Sequence, residues 1–152
     1  MKPSSPHVNE GFPIRITDVV TAGGRRELEG RLNAFNVEST GFADARDLFC
    51  LLRDSDGTLV AGIDGFTWGG YAHVEVLWVS EPLRGRGIGT RLLEAAEAEA
   101  RERGCTSIVL SSHEFQAPSL YTKLGYHPVG TTEDTPVGYS EIHFHKHLAG
   151  EL

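Results

Sequence analysis

Residues 84–89, RGRGIG, place three glycines and two arginines between an apolar run and a helical pattern. A helix N-terminus carries unpaired backbone N–H groups and partial positive charge, so it binds phosphate groups. Glycine lets the backbone approach a ligand closely, and arginine adds bidentate contacts to phosphate oxygens. Together, these residue types predict a pyrophosphate site in the turn.

Two well-known phosphate loops do not fit this turn. A dinucleotide-binding fingerprint has glycine at its first, third and sixth positions, but counting from Gly85 the sixth position is Thr90. A P-loop needs Gly-Lys-Ser/Thr after four spacer residues, and that pattern is absent. The remaining alternative is a flexible basic loop without a ligand, which the strand-loop-helix context disfavours.

The segments on either side of the turn predict a βαβ unit. Residues 71–79 form a strand, one face of which should carry His73, Glu75, Leu77 and Val79. A helix is predicted over 87–103 and a further strand over 106–112. Because a helix connects the two strands, they should run parallel.

The remaining patterns predict a loose arm at 1–12 and one further long helix at 25–37 with an amphipathic repeat. A short helix is expected to start near Pro118 and to stop at Gly125. Strands are predicted at 14–18, 48–53, 58–66, 126–131 and 140–148, with turns at 54–57 and 67–70. Without repeats or a linker, residues 1–152 are predicted to form a single α+β domain.

Composition restricts the class of protein. The apolar fraction is 39% and the charged fraction 23%, as in soluble globular proteins. A net charge of −7 argues against nucleic-acid binding, since phosphate backbones attract basic surfaces. Neither a secretory signal nor an apolar membrane span is recognisable. Cys50 and Cys105 stand in apolar contexts and are interpreted as reduced core thiols of a cytoplasmic protein, with a disulfide or a nucleophile as alternatives.

Two motifs resemble those of a known family. LWVSEPLRGRGIGTRLL, residues 77–93, resembles motif A of the GNAT N-acetyltransferases, because Arg84, Gly87 and Gly89 match its Arg/Gln-x-x-Gly-x-Gly/Ala pattern. APSLYTKLGY, residues 117–126, resembles motif B, a helix ending in Tyr-x-Lys-x-Gly-Phe/Tyr. The resemblance covers about residues 48–148. It implies an α+β fold (α/β in some schemes) with a mixed, mostly antiparallel sheet of about six to seven strands and helices on both faces.

The resemblance also implies acetyl-CoA in a cleft between the strand at 71–79 and the strand after the long helix. Backbone N–H groups of 85–90 would hold its pyrophosphate, and the backbone of 77–79 would pair with its pantetheine arm. Many family members have an Asn before motif B, where this chain has Gln116 and Ser119. The implied cofactor-binding residues are Leu77, Trp78, Val79, Arg84, Gly85, Arg86, Gly87, Ile88, Gly89, Thr90, Gln116, Ser119 and Tyr121.

Acetyl transfer to an amine requires proton transfers, because amines of the lysine type are mostly cationic at neutral pH. Tyr121 matches the motif B tyrosine, which in the family protonates the leaving thiol; its alternative role is packing. Glu75 is the candidate base, because burial on an apolar strand face would make its carboxylate more basic. It could instead anchor the substrate. A backbone N–H near Trp78 or Val79 could polarise the thioester carbonyl.

Other polar residues are candidates for the acceptor side. His113 and Glu114 end the strand before motif B and could line the acceptor pocket or simply face solvent. Phe35 is a further candidate for substrate binding. His143, His145 and His147 alternate along the last strand, too far apart for one zinc ion, so they are predicted to form an exposed stripe without metal.

The sequence therefore predicts an acetyl-CoA-dependent N-acetyltransferase for the primary amine of a small cationic acceptor, such as an aminoglycoside, another basic antibiotic or a polyamine. The alternatives are a protein lysine acetyltransferase and a non-catalytic acyl-CoA-binding module. Neither nucleic acid nor membrane is expected as a partner, and monomer or homodimer stays open. The acidic residues that favour a cationic acceptor are Glu38, Asp44, Asp47, Glu75 and Glu114.

Overall fold

The computed structural model describes residues 11–148, which fall into two compact units. The first unit ends at Gly41 and contains helix α1, Ala22–Thr40. This helix includes the predicted segment 25–37 and ends at Gly41, whose φ of 76° stops it in a left-handed conformation. The predicted strand at 14–18 is wrong: this segment is irregular, with no partner strand along it in the described chain. The predicted arm at 1–12 lies almost wholly outside the described residues.

The second unit is built on a six-stranded sheet. Its strands lie side by side in the order β1-β2-β3-β4-β6-β5, and every neighbouring pair is antiparallel except β3 and β4. The two α-helices described in this unit pack against the sheet, so the predicted mixed, mostly antiparallel fold is confirmed. The elements are β1 Arg46–Arg53, β2 Leu59–Trp68, β3 Tyr71–Val79, α2 Ile88–Glu102, β4 Ser107–His113, α3 Pro118–Lys123, β5 His127–Thr132 and β6 Glu141–His147.

The core of this unit lies between one face of the sheet and helices α2 and α3. Alternate strand residues face the helices, as the two-residue period of a strand requires. The α2 side contributes a stripe of buried residues at helical spacing. The principal members are Ala72, Val74, Leu92, Leu93, Ala96, Ala100, Ile108, Leu110 and Phe144.

The two cysteines differ in their surroundings. Cys105 is buried as predicted, and burial raises the pKa of its thiol. Cys50 is exposed, so its assignment to the core is wrong. The reason is that β1 is an edge strand of the sheet, where Leu48 is its only buried residue. An apolar run at a sheet edge does not have to be buried on either face.

A β-bulge interrupts β3 in its middle. Ile63 pairs with Leu77 and Asp64 with Val76, but Gly65 pairs with Val74, so Glu75 is the extra residue. A bulge reverses the inside-outside alternation of the strand that contains it. Leu77 and Val79 therefore pack against the same core as Ala72 and Val74. The prediction that His73, Glu75, Leu77 and Val79 share one face is wrong for this reason.

Gly65 is the residue that permits the bulge. A Cβ atom added to it would overlap the carbonyl oxygen of His73 and would lie 3.1 Å from the Cα of Val74. These nearest atoms all belong to the backbone of His73 and Val74, so no flexible side chain can move away. The close approach of β2 to the bulged part of β3 therefore requires glycine.

We expect Gly65→Ala to lower the free energy of unfolding by about 2 kcal/mol, as overpacking against fixed atoms does. Urea denaturation would measure the change. Gly130→Ala is the matched control, because Gly130 also lies in a strand but an added Cβ there meets nothing within 4 Å. Equal stability of the two variants would show that the bulge tolerates a side chain opposite it.

Candidate active site

The site begins where β3 and β4 separate. The two strands pair from Tyr71 opposite Ser107 to Val74 opposite Leu110, and no further. Beyond this point β3 continues to Val79, while residues 111–113 of β4 pair with β6. A cleft of about 580 Å³ lies at the gap.

The walls of the cleft come from β3, the turn before α2, and α3 with the loop before it. Of the thirteen predicted cofactor-binding residues, all but Arg86 and Ser119 line it. The structure therefore brings the two sequence motifs together at one cavity. The lining residues are Leu77, Trp78, Val79, Leu83, Arg84, Gly85, Gly87, Ile88, Gly89, Thr90, Phe115, Gln116, Ala117, Leu120 and Tyr121.

The β3 wall offers backbone groups to the cleft. Just after β3, Ser80 N–H donates to the Val60 carbonyl of β2. Trp78, two residues before Ser80, pairs with Gly62 of β2. Bonded pairs alternate along an antiparallel ladder, so the N–H of Trp78 points to β2 whereas that of Val79 points away from β2. The Val79 carbonyl follows the same rule, since it accepts a hydrogen bond from Arg84 Nε at 3.0 Å.

The glycine turn forms the second wall. Gly85 and Gly87 have φ values of 75° and 78°, a left-handed conformation that other residues adopt only with strain. The first hydrogen bond of α2 runs from Arg91 N–H to the Gly87 carbonyl at 3.0 Å. The N–H groups of residues 88–90 thus have no acceptor within the helix, and no side-chain cap serves Gly87 in the described chain. These donors, at a helix N-terminus beside a cavity, suit a phosphate group.

Gly89 lies between Leu120 of α3 and Val79 of β3. A Cβ atom there would lie 3.7 Å from Leu120 and 3.7 Å from Val79. The turn therefore sits close to both neighbouring elements, and the absence of a side chain keeps the space between them open.

Tyr121 reaches the cleft from α3. It is only 9% exposed, and its ring packs against Tyr126 and Phe144 with centroid distances of 5.9 and 5.6 Å. Burial raises the pKa of its phenol above the ordinary value, so the hydroxyl stays protonated. The ring packs in the core and Tyr121 also lines the cleft, so its two predicted roles are compatible.

The loop between β4 and α3 closes the end of the cleft. Gln116 Oε1 accepts a hydrogen bond from His113 N–H at 2.9 Å, which holds the side chain against the end of β4. Phe115 was not predicted as a site residue. It stacks on the His113 ring at 5.2 Å, and Tyr139 packs edge-on against it at 5.1 Å. The sequence gives little indication of this role for Phe115, because single aromatic residues are common in exposed loops.

Several predicted residues are not among those that line the cleft. Glu75 is exposed, so the prediction that it is buried on an apolar strand face is wrong. The extra residue of a bulge leaves the regular alternation, which is why the strand pattern misplaced it. His113 and Glu114 are not among the lining residues, and Phe35 belongs to the first unit. Asp44 accepts a hydrogen bond from Gly69 N–H at 2.9 Å and so caps a turn.

The prediction of an exposed histidine stripe on β6 is wrong for His143 and His145, which are half-buried, whereas His147 is exposed. His143 Nε2 lies 3.0 Å from the Thr132 hydroxyl, and the rings of His145 and His147 are 4.6 Å apart. Within residues 11–148, no group of three or more His, Cys, Asp or Glu side chains is arranged to hold a metal ion. None of the helices in this range is long and apolar enough to cross a membrane.

The chain's sequence matches that of a known protein family. The model of the acetyltransferase (GNAT) family matches residues 23–126. The chain belongs to the GNAT family. Because this match crosses the boundary at Gly41, both compact units contribute to the GNAT sequence pattern.

Relatives of this GNAT chain support the same conclusion. An acetyltransferase of Agrobacterium fabrum is 33% identical over 125 residues, which cover 82% of this chain and 91% of that protein. The blasticidin-S acetyltransferase of Streptomyces morookaense is 40% identical over 83 residues, 54% of this chain and 61% of that protein. The crystal structure of a candidate acetyltransferase from Agrobacterium tumefaciens has a TM-score of 0.82 and 31% identity, covering 90% of this chain and 99% of that one.

The chain is thus an N-acetyltransferase of the acyltransferase class, and its co-substrate is acetyl-CoA. The site fits this molecule on its own geometry. The unpaired N–H groups of residues 88–90 match a pyrophosphate, and the edge of β3 that lacks a neighbouring strand matches the amide groups of a pantetheine arm.

We expect Gly87→Val to weaken CoA binding by at least tenfold in calorimetry, because the side chain strains the left-handed turn that presents the donors. Gly104→Val is the matched control: Gly104 follows the other end of α2 with φ of 81° and, like Gly87, has open space for a Cβ. Both variants should lose about 1–2 kcal/mol of stability. Parent-like CoA affinity in Gly87→Val would show that the turn does not hold the phosphates.

Proposed function

We propose that this GNAT enzyme transfers the acetyl group of acetyl-CoA to the primary amine of a small cationic acceptor of the basic-antibiotic or polyamine kind. The observation that carries the proposal is the separation of β3 from β4, beside which the free N–H groups of α2 and the phenol of Tyr121 line one cleft. The similarity to blasticidin-S acetyltransferase supports a small-molecule acceptor. The net charge of −7 supports a cationic one.

Acetyl-CoA supplies an acetyl group activated as a thioester. In the proposed arrangement the turn at 84–89 holds its pyrophosphate through backbone N–H groups, and Leu77 and Val79 hold the pantetheine arm through their backbone. The Val79 N–H, which points away from β2, is the donor proposed to polarise the thioester carbonyl. Trp78 is excluded from that role, because its N–H is directed to β2.

Tyr121 is the proposed general acid. As the acceptor nitrogen bonds to the thioester carbon, the carbon–sulfur bond breaks and the nitrogen releases its proton to solvent. The Tyr121 hydroxyl, which burial keeps protonated, gives its proton to the sulfur of the leaving CoA thiolate. Packing against Tyr126 and Phe144 restricts the ring to one orientation. Gln116 holds the loop before α3, through His113 N–H, and so supports the same wall of the cleft.

Glu75 is the proposed anchor of the acceptor. It is the extra residue of the bulge, immediately after the last pair of β3 with β4. An exposed carboxylate can pair with a cationic amine without a large desolvation cost. His113 and Glu114, at the end of β4, are proposed to border the acceptor on its other side.

Acceptor screening would test the proposed function. Release of free thiol from acetyl-CoA is measured with aminoglycosides, blasticidin S, polyamines and lysine-containing peptides, and mass spectrometry identifies the acetylated product. Turnover with a small cationic amine is the expected result. Turnover restricted to peptides would favour a protein lysine acetyltransferase instead. Cytoplasmic location and a homodimer stay predictions, which fractionation and light scattering would check.

We expect Tyr121→Phe to lower kcat by about 10²–10⁴-fold, the usual contribution of a general acid, with little change in the Kd of CoA. The substitution removes one hydroxyl and keeps the ring. Because the pKa of Tyr121 is raised, donation is present below that pKa and lost only above it. The parent rate should therefore show no Tyr121-dependent fall up to about pH 10. An unchanged kcat in single-turnover measurements would contradict the assignment.

We expect Glu75→Gln to raise KM for the acceptor about tenfold while kcat stays near the parent value. The reason is that an anchoring carboxylate binds the cation equally well in the ground state and in the transition state. Steady-state kinetics with the best acceptor would measure both constants. Glu102→Gln, which removes an exposed carboxylate at the C-terminal end of α2, is the matched control and should leave KM unchanged. A fall in kcat with an altered acid limb of the pH profile would instead identify Glu75 as the base.

A further inference from the structure

Glu97 is a buried carboxylate with no part in the proposed chemistry. It lies on α2, and only 4% of the residue is exposed. Both of its oxygens accept hydrogen bonds from Lys146 Nζ on β6, at 2.9 and 3.1 Å. Arg101 lies 4.0 Å away on the next turn of the helix. A carboxylate so removed from water is stable only with such partners.

Tyr126 completes this cluster. Its hydroxyl donates to Glu97 Oε1 at 2.8 Å, and only 1% of the residue is exposed. Burial and the Glu97 carboxylate hold the pKa of Tyr126 far above its usual range, so the phenol remains a permanent donor. Lys146 Nζ also lies 5.4 Å from the centre of the Tyr126 ring, a cation-π distance. Glu97, Tyr126 and Lys146 are called the Glu97 cluster below.

The Glu97 cluster contacts the proposed acid directly. The ring of Tyr126 packs edge-on against that of Tyr121, with an interplanar angle of 75°. The backbone N–H of Tyr126 donates to the Tyr121 carbonyl at 2.9 Å, which ties the end of α3 to the residue that carries the hydroxyl. Glu97 lies on the helix whose first turn holds the unpaired N–H groups. The cluster therefore connects the phosphate-binding turn and Tyr121 through one rigid helix.

Stability alone is a weak reason for such a cluster. A buried ion pair pays a desolvation cost that its attraction barely offsets, and apolar residues of similar volume are often as stable. What hydrogen bonds add over apolar contacts is direction, since they define the distance and angle between the groups they join. The cost of burying these charges thus points to a requirement for geometry.

We propose that Glu97, Tyr126 and Lys146 act as positioning residues that fix the Tyr121 hydroxyl relative to the N-terminus of α2, and hence to the bound acyl-CoA. This inference rests on the proposed role of Tyr121 as general acid. None of the three residues touches the reacting atoms in this proposal. They act through the ring and the backbone of Tyr121.

Tyr126→Phe tests the proposal, because it removes the hydroxyl while Glu97 retains Lys146 as its partner. We expect kcat to fall about tenfold, which is the size of effect that residues in contact usually have on one another. The Kd of CoA, measured by calorimetry, should not change. Hydrogen exchange at the amides of Leu124 and Tyr126, which both donate to the Tyr121 carbonyl, should become faster than in the parent. Leu48→Val, a comparable loss in the core at the far edge of the sheet, should change neither kcat nor this exchange.

A double-mutant cycle separates positioning from general destabilisation. Added to Tyr121→Phe, the Tyr126→Phe change should lower kcat no further, because no hydroxyl is left to position. The same tenfold fall in both backgrounds would overturn the proposal while leaving Tyr121 as the acid. Parent-like kcat and exchange in Tyr126→Phe would also overturn it. A parent-like kcat in Tyr121→Phe alone would overturn the proposed acid, and this inference with it.

Discussion

The separation of β3 from β4 is the constraint on which the rest of the site depends. Parallel pairing stops after Val74 and Leu110, although both strands continue. The bulge at Glu75 begins at that point and turns the second half of β3, so that Leu77 and Val79 rejoin the core side. Strand edges with unpaired N–H and C=O groups are normally a liability for a protein. Here the unpaired edge lies inside a cleft, where an extended ligand can satisfy it.

The remaining elements are arranged around this gap. The α2 helix crosses from the end of β3 to the start of β4, so its N-terminus necessarily lies at the open end of the separated strands. The α3 helix follows β4 and brings Tyr121 to the opposite wall. One hydrogen bond ties the turn to β3, from Arg84 Nε to the Val79 carbonyl. Connectivity alone thus explains why distant sequence motifs share one cavity.

Regular patterns predicted most of the second unit, and irregular features account for the errors. Strand β3 was predicted with its observed bounds, because its alternation and flanking glycines are local signals. The bulge at Glu75 was not predicted, because it arises from the pairing of Gly65 with Val74 on the neighbouring strand, and no local sequence pattern shows which residues pair. Glu97 stands four residues before Arg101 on α2, a spacing that is typical of exposed ion pairs on a helix surface. Its burial depends on Tyr126 and Lys146, which are 29 and 49 residues away along the chain. Cys50 was misplaced because strand order decides which apolar runs lie at an edge.

The bulge also divides β3 into two halves that can evolve under different demands. The first half, 71–74, is bonded on both sides and buries Ala72 and Val74, so mutation there disturbs the core. In the proposed complex, the second half offers its backbone to the ligand, and the side chain of Trp78 is exposed. Recognition through backbone N–H and C=O groups does not depend on which side chain a residue carries. Exposed positions beyond the bulge are therefore free to diversify, and a lineage can acquire new acceptors while the acyl donor stays the same.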